Sequence, residues 1–409
     1  MINKYLSLNS LNKNEKFEVE QMDILKPQDW TFPVPIAYGP GRLKEIGNFC
    51  KSLKIANPLL VTDKNSKDLL FIEETSRQLS NSGISSDLFY EISPNPRDDE
   101  IEKGCLTYNK GKHDGIIAIG GGSAMDGAKA VCLTANNDIP LWDFEWEKPS
   151  PKIDKDNPFP KLICMPTTAG TGAETESTAM VTHLEKGMKF CICHPKLKPS
   201  LALLDPELTL GLPANLTAWT GADAMIHSLE AFCVNGFHPL CDGAALESLS
   251  LISKNLVTAV EEPDNLSARG GMLVASCLGG VAFLKGLGLV HAISHMVGAE
   301  FDTHHGLTNA IVLPVVTRFN LAGMDKKVRR MSEAMHYKDH SVEAFISNID
   351  ELLDKINIPK SLNEIGVPEE SAKRISEKAM LDSSYATNPK RSSYDEVFEI
   401  VSTAISKAR

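Results

Sequence analysis

The chain has eleven histidines among 409 residues, and four of them fall in GLGLVHAISHMVGAEFDTHHG (286–306): His291, His295, His304 and His305. His291 and His295 are spaced i, i+4, so on a helix both imidazoles project from one face. Asp223 and His227 repeat that spacing in TGADAMIHSLEAF (220–232). Imidazole and carboxylate together suit Fe²⁺, Zn²⁺, Mn²⁺ or Co²⁺ without deciding among them, and two such pairs can grip one ion from two helices. HAISH has no glutamate between its histidines, so it is not the HExxH of metalloproteases. A lone Asp/His pair is usually a surface hydrogen bond. Both pairs together with His304-His305-Gly306 point to a metal site.

A second kind of chemistry is suggested by IIAIGGGSAMDGAKA (116–130), which reads as a strand, a tight glycine turn and a helix start. Glycines 120–122 let the backbone approach a ligand, and the free N–H groups of a helix N-terminus suit a pyrophosphate. The motif is not GxGxxG, and a plain strand-to-helix turn is the simpler reading. MPTTAGTGAE (165–174) is a second strand-end loop able to line the same crevice. Asp63, closing LLVTD, can accept hydrogen bonds from a ribose diol and repel a 2′-phosphate, which favours NAD over NADP. It can equally cap the helix that follows.

These groups must be positioned by two kinds of structure. NPLLVTD (57–63), DGIIAIGGGS (114–123), KLICMPTTAGTG (161–172) and SLALLDPEL (200–208) read as buried strands. Helical patterns alternate with them, at FIEETSRQLSNSG (71–83) and AMDGAKAVCLTAN (124–136), which implies a parallel sheet covered on both faces. EWEKPSPKIDKDNPFP (145–160) reads as an exposed excursion. Beyond DPELTLGLP (205–213) the periodicity is helical, with clear stretches at 240–260, 342–356 and 394–408. The expected organisation is a polar extension over 1–28, an α/β half over 29–209 and an all-helical half over 210–409.

Composition narrows the function. A net charge of −11 argues against a nucleic-acid binder. The nine cysteines form no disulfide framework, no signal peptide is evident, and no apolar run approaches the ~20 residues that span a bilayer. A soluble, cytoplasmic protein with no membrane partner is expected. A small-molecule substrate and a homodimeric or higher homo-oligomeric state are further expectations that composition itself does not supply.

Taken together, GGGS with AMDGAKA, PTTAGTGAE, DPELTLGLP, TGADAMIHSLEAF and GLGLVHAISH…HHG…NAIVLP resemble the iron-containing (group III) alcohol dehydrogenases, in order and spacing from about Pro35 onward. The resemblance implies a Rossmann-like NAD(P) domain and an all-α domain, a dehydroquinate synthase-like plan, with the active site between them. It places metal ligands on Asp223, His227, His291 and His305, the last chosen over His304 because Gly306 follows it. His295 matches a cleft histidine that does not bind the ion. Cofactor contacts fall on Asp63, Gly120, Gly121, Gly122, Ser123, Asp126, Thr167, Thr168 and Thr171, and Lys189 matches a lysine near the nicotinamide ribose. That lysine is otherwise an exposed strand residue. The family often has PHG where this chain has HHG, and AFxNxGLGLVH where this chain has the shorter AFLKGLGLVH with Lys285.

The implied chemistry is hydride transfer between NAD(H) and a small primary alcohol or aldehyde, with Fe²⁺ (or Zn²⁺) as Lewis acid and His295 relaying the hydroxyl proton. Lys285 is a candidate receiver for a distal anion, as in a semialdehyde, phosphono- or sulfo-aldehyde; a helix-end salt bridge is its alternative. A glycerol dehydrogenase-like polyol dehydrogenase and a metal-dependent hydrolase are the competing readings.

Overall fold

The computed structural model describes residues 34–153 and 159–409. The expected polar extension over 1–28 and part of the 145–160 excursion lie outside the described residues. Strands β1 (Ile36–Tyr38), β2 (Pro58–Asp63), β3 (Asp87–Ile92), β4 (Gly115–Gly120), β5 (Lys161–Pro166) and β8 (Leu201–Leu204) form one sheet in the order β1-β8-β5-β4-β2-β3. Every pairing in it is parallel. The four central strands are unbroken buried runs, as a sheet covered on both faces requires, whereas the edge strands β1 and β3 are partly exposed.

Alternation along those strands divides the α/β core. Leu59, Val61, Ile116, Ala118, Leu162 and Cys164 pack against helices α3 (Asp98–Gly111) and α4 (Gly122–Thr134). Leu60, Ile117, Ile119, Ile163 and Met165 point the other way, onto α1 (Ile46–Leu53) and α2 (Leu70–Asn81). Between β5 and β8 the chain forms an antiparallel ribbon of β6 (Thr178–His183) and β7 (Met188–Cys193), pairing Thr182 with Lys189. Of this ribbon the sequence suggested only a strand around Lys189.

After β8 the chain is helical. Helix α5 (Ala214–Cys233) is buried without a break from Thr220 to Cys233, so it has no solvent face. Around it pack α6 (Pro239–Glu261), α7 (Leu266–Ala282) and, further on, α9 (His305–Asn320), which also lies against α8 (Leu289–Phe301). Helices α10 (Asp325–Ala334), α11 (Val342–Lys355), α12 (Ala372–Ala379) and α13 (Tyr394–Lys407) complete one apolar core. The stretch 266–285 is long and apolar enough to cross a membrane by length and composition, contrary to the sequence expectation, yet most of it is buried inside the protein. Its burial against α5 and α6 explains the composition without a bilayer.

The two halves are joined at close quarters. Val34, Ala202 and Leu204 of the sheet edge share a cluster with Leu273 and Cys277 of α7. Next to it the loop after β5 lies directly on α7: a Cβ on Gly280 would stand 2.4 Å from the Gly172 carbonyl oxygen. Gly172 itself has φ +62°, a conformation that glycine adopts freely. Replacing Gly280 by alanine must therefore push the loop off the helix. We expect Gly280→Ala to cost about 1–3 kcal/mol in thermal unfolding. Gly211→Ala, at a position with no heavy atom within 4 Å, should leave the midpoint nearly unmoved.

Candidate metal centre and cofactor cleft

Helix α5 has to carry Asp223, His227 and Glu230 into an apolar core. Buried ionisable groups are tolerated when they are paired or bind a metal. Asp223 Oδ1 lies 4.0 Å from His227 Nε2, 3.8 Å from His291 Nε2 and 3.7 Å from His305 Nε2. The four donor atoms fall within 4.8 Å of one another. Such gaps are too wide for hydrogen bonds, and they match donors held on one ion by bonds of about 2.0–2.2 Å. The two i, i+4 pairs do not contribute equally: α5 gives both of its members, α8 gives His291, and the first turn of α9 gives His305.

The other ring nitrogens explain why the Nε2 atoms converge. His291 Nδ1 donates to Glu230 Oε2 at 2.6 Å, and that carboxylate also accepts the N–H groups of Gly288 and Val290. His227 Nδ1 donates to the Gly170 carbonyl at 3.3 Å. His305 Nδ1 meets Ser294 Oγ at 3.1 Å. With each Nδ1 engaged, each Nε2 keeps its lone pair for a ligand position. Burial holds His291 and His305 well below the ordinary histidine range, with neighbouring imidazoles adding to the effect, so both rings are neutral. Burial pushes Glu230 up to about 7 against the pull of its N–H donors; a bound cation would draw it back toward the carboxylate. A divalent ion fits this donor set.

His295 stands beside the cluster without joining it. Its ring stacks on His305 at 5.4 Å between centroids, and its Nδ1 bonds Asp382 Oδ2 at 2.9 Å. Burial alone would raise Asp382, but His295 and the Ser384 hydrogen bonds hold it below the usual carboxylate range. His304, left without a role by its sequence, accepts the Leu307 N–H as N-cap of α9 and packs on Trp219.

At the sheet, Asp63, Gly120 and Thr167 stand at the carboxyl ends of the adjacent strands β2, β4 and β5. The chain leaves β2 for β3 on one side and resumes with β4 on the other, so this is the topological switch point where such sheets bind ligands. Gly120 has φ +146°, and Cβ atoms on Gly121 and Gly122 would stand 3.4 and 2.5 Å from methyl groups of Thr168 and Thr171. The glycine turn and the threonine loop therefore form one wall. Asp63 accepts the N–H groups of Asn65 and Ser66 and the Ser66 hydroxyl, so it caps its own turn at the edge of this crevice. Ser123 donates to the Pro94 carbonyl. Asp126 accepts Met180 N–H, and burial raises it to about 6 despite Lys129, Lys189 and His295 nearby. Lys189 is only partly exposed on β7, not a free surface lysine, and burial lowers it to about 8 against Asp126 and Asp302.

Lys285, considered as a receiver for a distal anion or as a helix-end salt bridge, makes the salt bridge. Its side chain is 5% exposed and its ammonium bonds Asp242 Oδ1 at 2.7 Å, so the charge is already neutralised by α6. The sequence also left unnoticed Glu230, Asp382 and Asn309, whose amide touches three of the donor atoms. Glu230 and Asn309 carried a local signal, each one helical turn after a ligand histidine, His227 and His305; Asp382 carried none.

A crevice at the switch point of a parallel sheet, together with a His₃Asp cluster in a helical half, is the arrangement of a metal-dependent oxidoreductase class. The comparisons give it a family. Residues 33–206 match the model of the iron-containing alcohol dehydrogenases, and residues 217–405 match the C-terminal model of the same family. The chain is 34% identical over 381 residues to a 1,3-propanediol dehydrogenase of Citrobacter freundii, covering 91% of this chain and 97% of that one. It is 35% identical over 364 residues to a 4-hydroxybutyrate dehydrogenase of Cupriavidus necator, covering 86% and 93%. A solved 1,3-propanediol oxidoreductase superposes with a TM-score of 0.88 at 32% identity, over 93% of this chain and all of that one. The chain belongs to the iron-containing alcohol dehydrogenase family, whose cofactors are iron and NAD.

Glu230 offers a direct check on the orienting bonds. We expect Glu230→Gln to weaken metal binding by roughly 10–100-fold, measured by competition with a chromophoric chelator. An unchanged dissociation constant would show that the Nδ1 bond does not position His291.

Proposed function

We propose that this chain interconverts short, uncharged primary alcohols and aldehydes with NAD(H), using Asp223, His227, His291 and His305 as the metal ligands. The observation that carries the reading is the convergence of four donors beside the His295–Asp382 pair, with the threonine loop touching both the glycine turn and the metal helix. Asp223, His227, His291 and His305 would hold a metal that supplies Lewis-acid polarisation of the substrate oxygen, and a bound nicotinamide would supply the hydride chemistry. His295 holds and releases the hydroxyl proton at Nε2, because its Nδ1 is fixed on Asp382. Asp382 acts as a positioning residue that keeps the ring in that tautomer.

The cofactor lies along Asp63, Gly120–Gly122, Ser123, Asp126, Thr167, Thr168 and Thr171, with Lys189 beside the nicotinamide ribose. Asp63, at the end of β2, disfavours a 2′-phosphate and so favours NAD over NADP. Fe²⁺ is the favoured ion, since the family is an iron family and a His₃Asp set suits it. A small uncharged substrate is favoured over one with a distal anion, since the Lys285 ammonium considered as the anion's receiver bonds Asp242.

Three measurements test this reading. Chelation should abolish aldehyde reduction while NADH fluorescence still reports binding, and added Fe²⁺ should restore turnover; a hydrolase would show no NADH binding at all. Propanal should exceed succinic semialdehyde in kcat/KM, and Lys285→Ala should change both alike. A loss confined to the semialdehyde would return Lys285 to the substrate site. For Lys189, lowered to about 8, the charge is present below that pH and lost above it. The KM for NADH should therefore rise through pH 8, and Lys189→Met should give the high value at every pH.

A further inference from the structure

Asn309 occupies an unusual place in the metal centre. It lies on α9 one turn beyond His305, so its side chain shares that ligand's face, and it is fully buried. Its Nδ2 is 2.8 Å from Asp223 Oδ1, 3.2 Å from His291 Nε2 and 3.1 Å from His305 Nε2. Its Oδ1 is buried and has no hydrogen-bond partner among the described residues.

The chemistry of these atoms fixes which way the amide points. Three Nδ1 atoms are already engaged, so the Nε2 atoms of His291 and His305 present bare lone pairs toward an anionic oxygen. Facing lone pairs in an apolar interior repel one another and are costly to leave unpaired. Among the described residues, the Asn309 amide is the only hydrogen-bond donor to these three atoms. Turning it over would set its carbonyl against three electron-rich atoms, and leaving Oδ1 without a donor is the lesser cost. A carboxamide nitrogen has two hydrogens, however, and here it faces three acceptors. At least one lone pair is always left open.

We propose that the Asn309 carboxamide is the placeholder of the metal centre. In the metal-free protein its two N–H groups are shared among Asp223, His291 and His305, two at a time, and keep the donors converged. On metal entry the imidazole lone pairs go to the ion, and the amide retains only its bond to Asp223 Oδ1. Asn309 thus sets the stability of the empty site and, through it, the affinity for the ion, without being a ligand. This rests on the ligand set proposed above.

The test compares metal-free and Zn²⁺-loaded protein, by thermal unfolding and by chelator competition. In Asn309→Ala the metal-free midpoint should fall clearly further than the loaded one, and the visible spectrum of the Co²⁺ form should keep its wild-type band intensities. Equal falls in both states would reduce Asn309 to ordinary packing, and a Co²⁺ spectrum with altered intensity would make it a ligand; either result overturns the proposal. If Asn309→Ala does not fold without metal, Asn309→Leu decides. It fills the same space with neither donor nor charge, so its metal-free midpoint should fall further than its loaded one, and equal falls count against the placeholder. His291→Ala is the control for the ligand set itself. If it binds Zn²⁺ as tightly as wild type, the ligand assignment fails, whatever the Asn309 variants show.

Discussion

The constraint on which the structure depends is the burial of α5. This helix takes an aspartate, a histidine and a glutamate, spaced over two turns, through the middle of an apolar core. A carboxylate there is costly unless something compensates it. Each solution visible around α5 involves another element: α8 presents His291 to both carboxylates, α9 brings His305 and Asn309 to Asp223, and backbone N–H groups at the start of α8 cover Glu230. The arrangement of α5, α8 and α9 is thus dictated as much by charge as by apolar packing.

The same helix is tied to the cofactor wall through one loop. Gly170, in the threonine loop after β5, accepts the Nδ1 hydrogen of His227, and a Cβ on Gly170 would stand 2.7 Å from the Thr220 side chain of α5. Two residues on, Gly172 lies against Gly280 of α7. On either side of Gly170, Thr168 and Thr171 abut the glycine turn. A displacement of this loop would move the crevice wall and the orientation of a donor imidazole together. That coupling needs no domain motion, only backbone contacts too close to admit a side chain.

Much of this was legible from the sequence where the signal is local. The i, i+4 Asp/His pair, the strand–glycine–helix junction and the apolar strand runs depend on neighbouring residues, and β2, β4, β5 and β8 form where those runs stand. The orienting residues depend on tertiary contacts and left little trace. Asp382 meets His295 across 87 positions, and Asn309 meets Asp223 across 86. Lys285 shows the converse. As a lysine beside a ligand-bearing segment it reads as free charge, and only the packing of α6 reveals Asp242 against it, 43 residues earlier. Asp63 bore two readings, cap of the following helix and ribose acceptor; it caps only the turn at Asn65–Ser66, since that helix starts at Leu70 with Leu69 as its N-cap, and its place at the switch point leaves the second reading open. The β6–β7 ribbon was missed because its residues are neither a buried run nor a clean alternation.

Charge balance explains why a neutral amide suits position 309. Asp223 and Glu230 bring two carboxyl groups into the interior, while burial holds His291 and His305 well below the ordinary histidine range. A divalent ion offsets those two carboxylates. A third carboxylate beside Asp223 would leave the loaded site with a net negative charge in a low-dielectric interior, where like charges are strongly unfavourable. A cationic side chain would compete with the ion for Asp223. An aliphatic one would leave the lone pairs of the empty site facing one another without a donor. Asparagine supplies N–H groups without altering the charge, and only two of them for three acceptors, so the empty site is held together but still open to an ion.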